Sequence, residues 1–322
     1  MIGSGRGLAE FITWQTDTFG IGPGDRCACL TPPTFDVFLR DELTPLSSGA
    51  TLVLPGDDDV RDPAAFLAAA SITVCHVVPS LAARWLRRAQ GTCESLRLAF
   101  FTGEALYARH VVALRQFAPN TRVINLYGPS ETTLAKFFSD ATEWCDDGVC
   151  PVGVPLPGTR YRLQAGEVHI GPPLALSGYV HREDPHFYRD DDRWLFATGD
   201  LGYDSGAGLV IEGRTDQQVK IAGVRVNTTD VAAVIAACSG VENAAVLPVA
   251  DELGTHLAGF AQARMRTAEQ IREQLVDRLP ATHLPARPIV CGDLPLTVRG
   301  KTRSGSPPGS PHARHPRARR RR

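Results

Sequence analysis

Short apolar runs alternate with amphipathic segments through roughly the first 140 residues. The apolar runs have the length and the Val, Ile, Leu and Phe content of buried strands, and they occupy residues 50–55, 71–78, 96–101 and 122–126. Apolar positions at helical spacing follow in residues 63–70, 81–86 and 107–117. The first of these helices should begin with Asp62 as its N-cap and Pro63 in its first turn. Strands that alternate with helices form parallel βαβ units, so the pattern predicts a parallel sheet.

The pattern changes after residue 160. Short strands separated by Gly and Pro continue to about residue 211 and predict a β-rich subdomain. A smaller α+β unit follows, with helices near 230–237 and 268–278. We therefore expect an α/β fold: a partial, parallel-sheet large domain with a β-rich subdomain, then a small α+β C-terminal domain.

The predicted domain limits follow from these changes in composition. They are 1–215 for the large domain, 216–303 for the small domain and 304–322 for a tail. The tail is rich in Ser, Gly, Pro and Arg, and such a segment cannot bury enough apolar surface to fold. We expect it to be disordered and basic.

Composition narrows the classes of function. A formal net charge of −1 over 322 residues gives no overall field that would attract nucleic acid. No apolar run approaches the roughly 20 residues of a membrane span, and no signal peptide is evident, so we expect a cytoplasmic protein without membrane or nucleic-acid partners. The eight cysteines lack paired zinc spacing and are expected to be mostly buried free thiols.

The most informative segment for chemistry is Asn-Leu-Tyr-Gly-Pro-Ser-Glu-Thr-Thr at 125–133. It places a Gly-Pro turn and a cluster of hydroxyl and carboxylate groups at the end of a predicted strand. Open α/β sheets bind ligands at this end of their strands. Tyr127 offers a flat face for a base, Ser130 and Thr132 can donate to phosphate oxygens, and Glu131 can hold Mg²⁺. Alone, the segment fits a polar turn equally well.

Three further segments carry groups suited to a nucleotide. Residues 197–201 place Asp200 after a tight turn, where a carboxylate could bind a ribose diol. Residues 213–223 combine Arg214 with a Gly-flanked segment that could pivot. Residues 294–301 end in Lys301 on a glycine loop, a mobile cation suited to a developing negative charge.

Taken in this order, the segments resemble the core motifs of nonribosomal peptide synthetase adenylation domains. These belong to the superfamily of acyl-CoA synthetases and luciferase, with motifs written NxYGPTE, TGD, GRxDxQVKIRG and LPxTxxGK. Residues 166–171 with 177–179, and 35–36 with 48–50, resemble two more of its motifs. The resemblance extends from about residue 30 to 303 and implies that an acid and ATP form an acyl adenylate and pyrophosphate.

The resemblance also implies roles for individual residues. Lys301 and Glu131 would be catalytic, with Glu131 holding Mg²⁺, and Asp216 would be the hinge between the domains. The nucleotide would be bound by Asn125 and Tyr127 at adenine, Asp200 and Arg214 at the ribose, and Gly128, Ser130 and Thr132 around the phosphates. The implied partners are an amino acid and a peptidyl carrier protein that bears phosphopantetheine.

An amino-acid pocket is implied as well. Asp36 would pair with the substrate α-ammonium group, although an N-cap of the following helix is an alternative interpretation. The lining would be Val37, Arg40, His76, Phe100, Thr102, Leu126, Leu134 and Ala135. His76 and Thr102 favour a small polar side chain such as that of serine, whereas Arg40 favours an acidic or larger polar one. His76 could instead be a satisfied core histidine.

One departure from the family concerns the phosphate loop, SGTTGxPKG in the motif. The chain begins Met-Ile-Gly-Ser-Gly-Arg, which does not match it, and nothing matches the preceding subdomain. We therefore interpret the chain as an N-terminally truncated adenylation domain and expect its activity on its own to be impaired. Three hypotheses remain: an amino-acid adenylation enzyme, an acyl- or aryl-acid CoA ligase of the same superfamily, and a non-catalytic remnant or split half.

Overall fold

A computed structural model of the chain describes residues 3, 5–171, 186–190, 193–216, 218–251, 254–263, 265–286, 288–292 and 294. These residues divide into two compact units. One lies within 1–227 together with 250–255, and the other within 228–249 together with 256–322. The predicted domain limits at 215/216 and 303/304 stay predictions. The predicted tail lies outside the described residues.

Helices and strands alternate up to β5, strands predominate from there to residue 227, and the second unit again contains both. The helices are α1 Gly5–Phe19, α2 Val37–Ser48, α3 Asp57–Arg61, α4 Pro63–Ala69, α5 Pro79–Leu86, α6 Ala108–Phe117, α7 Thr228–Ala236 and α8 Ala268–Val276. The strands are β1 Arg26–Ala28, β2 Thr51–Val53, β3 Val74–Val77, β4 Leu98–Phe101, β5 Arg122–Tyr127, β6 Phe137–Asp140, β7 Val154–Pro155, β8 Arg160–Gln164, β9 Glu167–Gly171, β10 Phe187–Asp190, β11 Arg193–Ser205, β12 Gly208–Arg214, β13 Gln218–Ile221, β14 Val224–Asn227, β15 Asn243–Asp251, β16 Gly254–Gln262 and β17 Ile289–Cys291.

In the described part of the first unit, seven strands form one sheet in the order β2-β1-β3-β4-β5-β6-β7. Strands β2 to β5 of this order run parallel, and β6 and β7 join antiparallel. Every residue of β3 and β4 is buried, as expected of parallel strands covered on both faces. The predicted α/β class and parallel sheet are confirmed.

The two faces of this sheet carry different cores, because successive side chains of a strand point to opposite sides. One core contains Cys75, Val77, Ala99, Phe101 and side chains of α4, α5 and α6. The other contains Val74, Leu98, Phe100, Ile124 and side chains of α1 and α2. Helix α4 begins as predicted, since the Asp62 side chain accepts a hydrogen bond from the Ala65 amide at 3.2 Å.

The β-rich region forms a second, antiparallel sheet. Its strands run in the order β10-β11-β9-β8, and β12 pairs with β11. The register of β11 shifts against β9 between Ala197 and Leu201, and against β12 between Leu201 and Gly202. Such irregularities change the direction of side chains, and Asp200 lies within the shift between Ala197 and Leu201. The hairpin of β13 and β14 follows.

The second unit contains α7 and α8 and most of a sheet in the order β15-β16-β17, in which β16 and β17 run parallel. The two helices lie where the sequence predicts them. Helix α8 begins at a capping box, in which the Thr267 side chain accepts from the Gln270 amide at 3.3 Å. None of the described helices has the length and hydropathy of a membrane span.

Candidate functional site

Strand β5 ends at Tyr127 and is followed by a turn that folds back on it. Residues Ser130–Thr132 form a 3-10 turn, and the Lys136 amide donates to the Tyr127 carbonyl at 2.7 Å. Between them, Thr133 and Leu134 hold φ values of 63° and 59°. Non-glycine residues rarely adopt this left-handed conformation, and it concentrates at functional sites. The turn is thus a constrained feature at the carboxyl end of the parallel sheet.

Tyr127 and Asp200 come from different sheets and meet in a buried cluster. The Tyr127 hydroxyl donates to Asp200 Oδ2 at 2.7 Å, and Arg214 Nη1 donates to Asp200 Oδ1. Burial and the adjacent Asp200 charge raise the pKa of Tyr127, so its phenol stays protonated and donates. The Asp200 amide donates to Thr198 Oγ1 at 3.0 Å, which fixes the backbone at the bulge. Since each carboxylate oxygen has two lone pairs, Asp200 can still accept a hydrogen bond from a hydroxyl group.

A chain of ion pairs continues from this cluster to the predicted metal ligand. Arg214 Nε and Nη2 donate to the two oxygens of Asp216 at 2.8 and 3.0 Å. Burial alone would raise the pKa of Asp216, but the hydrogen bonds from Arg214 outweigh it and lower that pKa. Arg225 Nη2 lies 3.8 Å from Asp216 Oδ2, and Arg225 Nη1 donates to Glu131 Oε1 at 3.2 Å. Arg225, which sequence reasoning missed, thus links the predicted hinge residue to the predicted metal ligand.

Other predicted nucleotide-binding side chains lie at the same edge of the sheet. Asn125 Nδ2 donates to the carbonyl oxygens of residues 150 and 151, at 3.3 and 3.0 Å. Thr132 is buried, and its hydroxyl donates to the Pro129 carbonyl at 2.9 Å. Ser130 is half-buried. The structure therefore gathers these residues, although Asn125 and Thr132 already have protein partners.

The predicted amino-acid pocket maps to the sheet face covered by α1 and α2. One hydrophobic core on that face contains Phe100, Leu126, Leu134 and Ala135, with Val37 partly buried against it. His76 stacks on Phe100, with ring centroids 4.8 Å apart and an interplanar angle of 22°. Thr102 follows β4 and is half-buried. The predicted lining residues are thus brought together from strands and turns far apart in sequence.

Asp36 is half-buried at the start of α2. Its Oδ1 accepts a hydrogen bond from the Val37 amide at 2.9 Å, which is the N-cap contact of the alternative interpretation. A capping carboxylate keeps a second oxygen for another partner. Its predicted pairing with a substrate ammonium group stays a prediction.

A buried polar network lies against the same face, and sequence reasoning missed most of it. Arg40 Nε and Nη2 both donate to Asp41 Oδ1 at 3.2 Å, and His76 Nδ1 lies 3.1 Å from the same oxygen. The Thr31 hydroxyl donates to Asp41 Oδ2 at 2.6 Å. On the other side of the imidazole, Gln15 Nε2 lies 2.7 Å from His76 Nε2.

The protonation states of the network follow from burial and charge. Burial, and then the Arg40 charge, lower the pKa of His76 to about 4, so the imidazole is neutral at pH 7. Burial alone would raise the pKa of Asp41, but Arg40 and His76 outweigh it and lower that pKa. Neutral His76 therefore donates from Nδ1 to Asp41 and accepts at Nε2 from Gln15. The Thr44 hydroxyl completes the set by donating to Gln15 Oε1 at 3.3 Å.

Part of this network could have been predicted from the sequence. Arg40, Asp41 and Thr44 fall on one side of α2, at a spacing that puts them near Val37 one turn earlier. Polar residues on a helix face that contacts a sheet indicate a buried network. Gln15 carried no comparable signal.

Besides the tail, two predicted features lie outside the described residues. They are Lys301, in the 294–301 segment, and the residues 177–179.

The family model described as "AMP-binding enzyme" matches residues 2–180. A protein of Salinispora arenicola (strain CNS-205) named "Probable non-canonical nonribosomal peptide synthetase (NRPS) CymA" is 34% identical over 321 residues, covering 92% of this chain and 4% of that protein. The L-proline--[L-prolyl-carrier protein] ligase of Streptomyces coelicolor is 30% identical over 321 residues, covering 92% of this chain and 60% of the ligase.

This chain is also similar to a solved structure of an adenylation domain. The Vibrio cholerae adenylation domain AlmE, in complex with glycyl-adenosine-5'-phosphate, superposes with a TM-score of 0.81 at 25% identity. The match covers 90% of this chain and 60% of AlmE. The chain therefore spans less than two thirds of each of these three proteins.

Proposed function

Because the chain belongs to the AMP-binding enzyme family, we propose that it activates an amino acid as an aminoacyl adenylate and loads it onto a carrier protein. The observation that carries the proposal is the buried Tyr127–Asp200–Arg214 cluster at the carboxyl end of the parallel sheet, linked by ion pairs to Glu131. Relatives named as peptide synthetases, and the glycyl-adenosine-5'-phosphate in AlmE, support an amino acid as substrate.

The nucleotide site uses groups that the fold already orders. Asp200, fixed by Tyr127 and Arg214, accepts hydrogen bonds from the ribose hydroxyls. The Tyr127 ring and Asn125 lie at the end of β5, where we assign the adenine. Ser130, which is half-buried, donates to the phosphates. Positioning of this kind is the main contribution a protein can make to transfer at phosphorus.

The donor set after β5 fits Mg²⁺, which prefers carboxylate and hydroxyl oxygens. Glu131 would hold the ion with help from Ser130, and a bound Mg²⁺ would neutralise phosphate charge. In the structure Arg225 already donates to Glu131 Oε1, so Arg225 and the ion compete for this carboxylate.

In the proposed reaction, a carboxylate oxygen of the amino acid attacks the α-phosphorus of ATP. The bond from that phosphorus to the bridging oxygen breaks, and pyrophosphate leaves with its electron pair. Asp36 pairs with the α-ammonium group, and Lys301 neutralises the charge that grows at the α-phosphate. Asp216 serves as the hinge before the thioester step, in which the phosphopantetheine thiol of the carrier protein displaces AMP.

Pyrophosphate exchange on the 322-residue chain tests the proposal. We expect ATP-dependent exchange with one or a few proteinogenic amino acids and none with fatty or aryl acids. Exchange only with non-amino acids would establish the CoA ligase alternative. Calorimetry with ATP then examines the non-catalytic alternative, because a remnant without a nucleotide site should bind no ATP. The rate of pyrophosphate exchange also tests the prediction that the activity of the chain on its own is impaired.

Replacing Arg225 by Met should strengthen the apparent binding of Mg²⁺. The substitution keeps most of the side-chain volume but removes the cation that pairs with Glu131, so the half-saturating Mg²⁺ concentration should fall roughly three- to tenfold, for a pair worth about 1 kcal/mol. A Mg²⁺ titration of ATP binding by calorimetry measures this without requiring turnover. Arg122→Met is the control, since Arg122 forms a 2.8 Å ion pair with Asp140, more exposed than that of Arg225 and Glu131, away from the turn. An equal shift in both variants would contradict the competition.

A further inference from the structure

The buried residues Gln15, Arg40, Asp41, Thr44 and His76, together with the half-buried Thr31, form what we call the Asp41 network. The side chains of Arg40 and Asp41 are 2% and 0% exposed, so their ion pair is removed from water. His76 adds no charge because its imidazole is neutral at pH 7. The network therefore contains one cation and one anion, and its net charge is zero.

Arg40 still has donors to offer. Its Nε and Nη2 both donate to Asp41, whereas Nη1 makes no hydrogen bond to any residue that the structure describes. A guanidinium group carries five N–H donors, and Nη1 is not among the fully buried atoms without a partner in the described residues, so it keeps accessible surface for a further acceptor. Since Arg40 lies one helical turn from Val37 in the predicted pocket, an acceptor atom of the bound amino acid is the natural partner for Nη1.

The charge balance decides which acceptor fits. A carboxylate side chain would add a second buried anion to a pair that is already neutral, and an unbalanced buried charge is strongly unfavourable. An uncharged oxygen, as in a hydroxyl or an amide, accepts from Nη1 without changing the net charge. The polar surroundings from His76 and Thr102 are compatible with such a group.

We infer that the Asp41 network neutralises and orients Arg40, so that the pocket selects an amino acid with an uncharged, hydrogen-bonding side chain over an acidic one. Asp41 is then a positioning and specificity-determining residue that acts through Arg40. The inference rests on the proposed function, because it assigns the substrate class of the same site. The sequence left open a polar and an acidic side chain for the substrate, and this inference retains the polar one and excludes the acidic one.

The test compares ligands that differ by one charge at nearly constant shape. The probes are non-hydrolysable adenosine sulfamates of glutamine and glutamate, of asparagine and aspartate, and of serine. Their dissociation constants are measured by calorimetry on the 322-residue chain. We expect at least one uncharged member to bind roughly tenfold or more tightly than its acidic counterpart, which corresponds to about 1.4 kcal/mol.

Asp41→Asn should reverse this preference by leaving Arg40 as an unbalanced cation. The ratio of acidic to uncharged affinity should rise at least about tenfold. The double variant Arg40→Gln with Asp41→Asn restores neutrality and should restore the preference for the uncharged member. It also keeps the inference testable if the single variant does not fold.

Asp25→Asn is the matched control. Asp25 is also a buried carboxylate, paired with Arg97 at 2.7 Å and with the Thr73 hydroxyl at 2.7 Å, but it lies outside the Asp41 network. Its loss should reduce stability and leave the affinity ratio unchanged.

Two results overturn the inference while the proposed function stands: tighter binding of an acidic sulfamate by the unmodified chain, or an unchanged ratio in folded Asp41→Asn. If the chain binds none of these sulfamates but exchanges pyrophosphate with another amino acid, the inference fails and the proposed function stands; if it also supports no exchange with any amino acid, both fail.

Discussion

Asp200→Asn should weaken ATP binding by roughly 10- to 150-fold. The substitution keeps the shape of the side chain but removes the charge that accepts from Tyr127 and Arg214 and, in the proposed complex, from the ribose. Hydrogen bonds to a charged group contribute about 1.5–3 kcal/mol, and each 1.4 kcal/mol changes an affinity tenfold. Arg214 keeps its pairing with Asp216, so the variant should remain folded. Calorimetric titration with ATP measures the change.

Asp204→Asn is a closely matched control for this experiment. Asp204 lies on the same strand, β11, and also accepts from a tyrosine hydroxyl, that of Tyr161, at 2.7 Å. The Tyr161–Asp204 pair is exposed and lies outside the cluster, so its loss should leave ATP affinity within about twofold. If both variants bind ATP as tightly as the unmodified chain, Asp200 does not bind the nucleotide and the proposed site is wrong.

The parallel sheet was predictable because its strands are buried on both faces. Such strands appear in the sequence as predominantly apolar runs, for example 71–78 and 96–101, and the helices between them show a different period. The turn after β5 was predictable for another reason, because the motif residues that form it are consecutive in the sequence. Local patterns of this kind can be detected without knowing the fold.

The Asp41 network was not predictable in the same way. Gln15 comes from α1, Asp41 from α2 and His76 from β3, and they meet because α1 and α2 pack on the same face of the sheet. The ion pair between Glu131 and Arg225 joins residues 94 positions apart. Contacts of this range depend on register and packing, so a pattern along the chain can suggest each residue but not its partner.

The irregular register of β11 shows another limit of prediction from the sequence. A tight turn was expected at 197–201, but the structure keeps these residues within one long strand and shifts its register there. Gly199 adopts a φ of 73°, and a Cβ at that position would lie 2.7 Å from Arg214 Nη2. The glycine is therefore needed where the strand bends, and its close approach to Arg214 could not be inferred from the motif.

Gly128→Ala should destabilise the first unit by about 3 kcal/mol. A Cβ at this position would lie 2.4 Å from the Leu134 carbonyl oxygen and 2.8 Å from both Ala135 Cα and Lys136 N. These are backbone atoms, which cannot rotate away as the end of a side chain could, so the turn after β5 would have to open. Overpacking in a close-packed region typically costs about 1–3 kcal/mol, and contacts with backbone fall at the upper end.

The expected consequence extends beyond stability, since the same turn carries Ser130 and Glu131. Denaturant unfolding followed by circular dichroism measures the loss, and ATP calorimetry should show weaker binding in whatever fraction remains folded. Gly148→Ala is the control, because a Cβ at Gly148 would meet no atom of the described residues within 4 Å. If Gly128→Ala unfolds at the same denaturant concentration as Gly148→Ala, the turn can relax without loss. The folded-back geometry would then not be what fixes Glu131 at the end of the sheet.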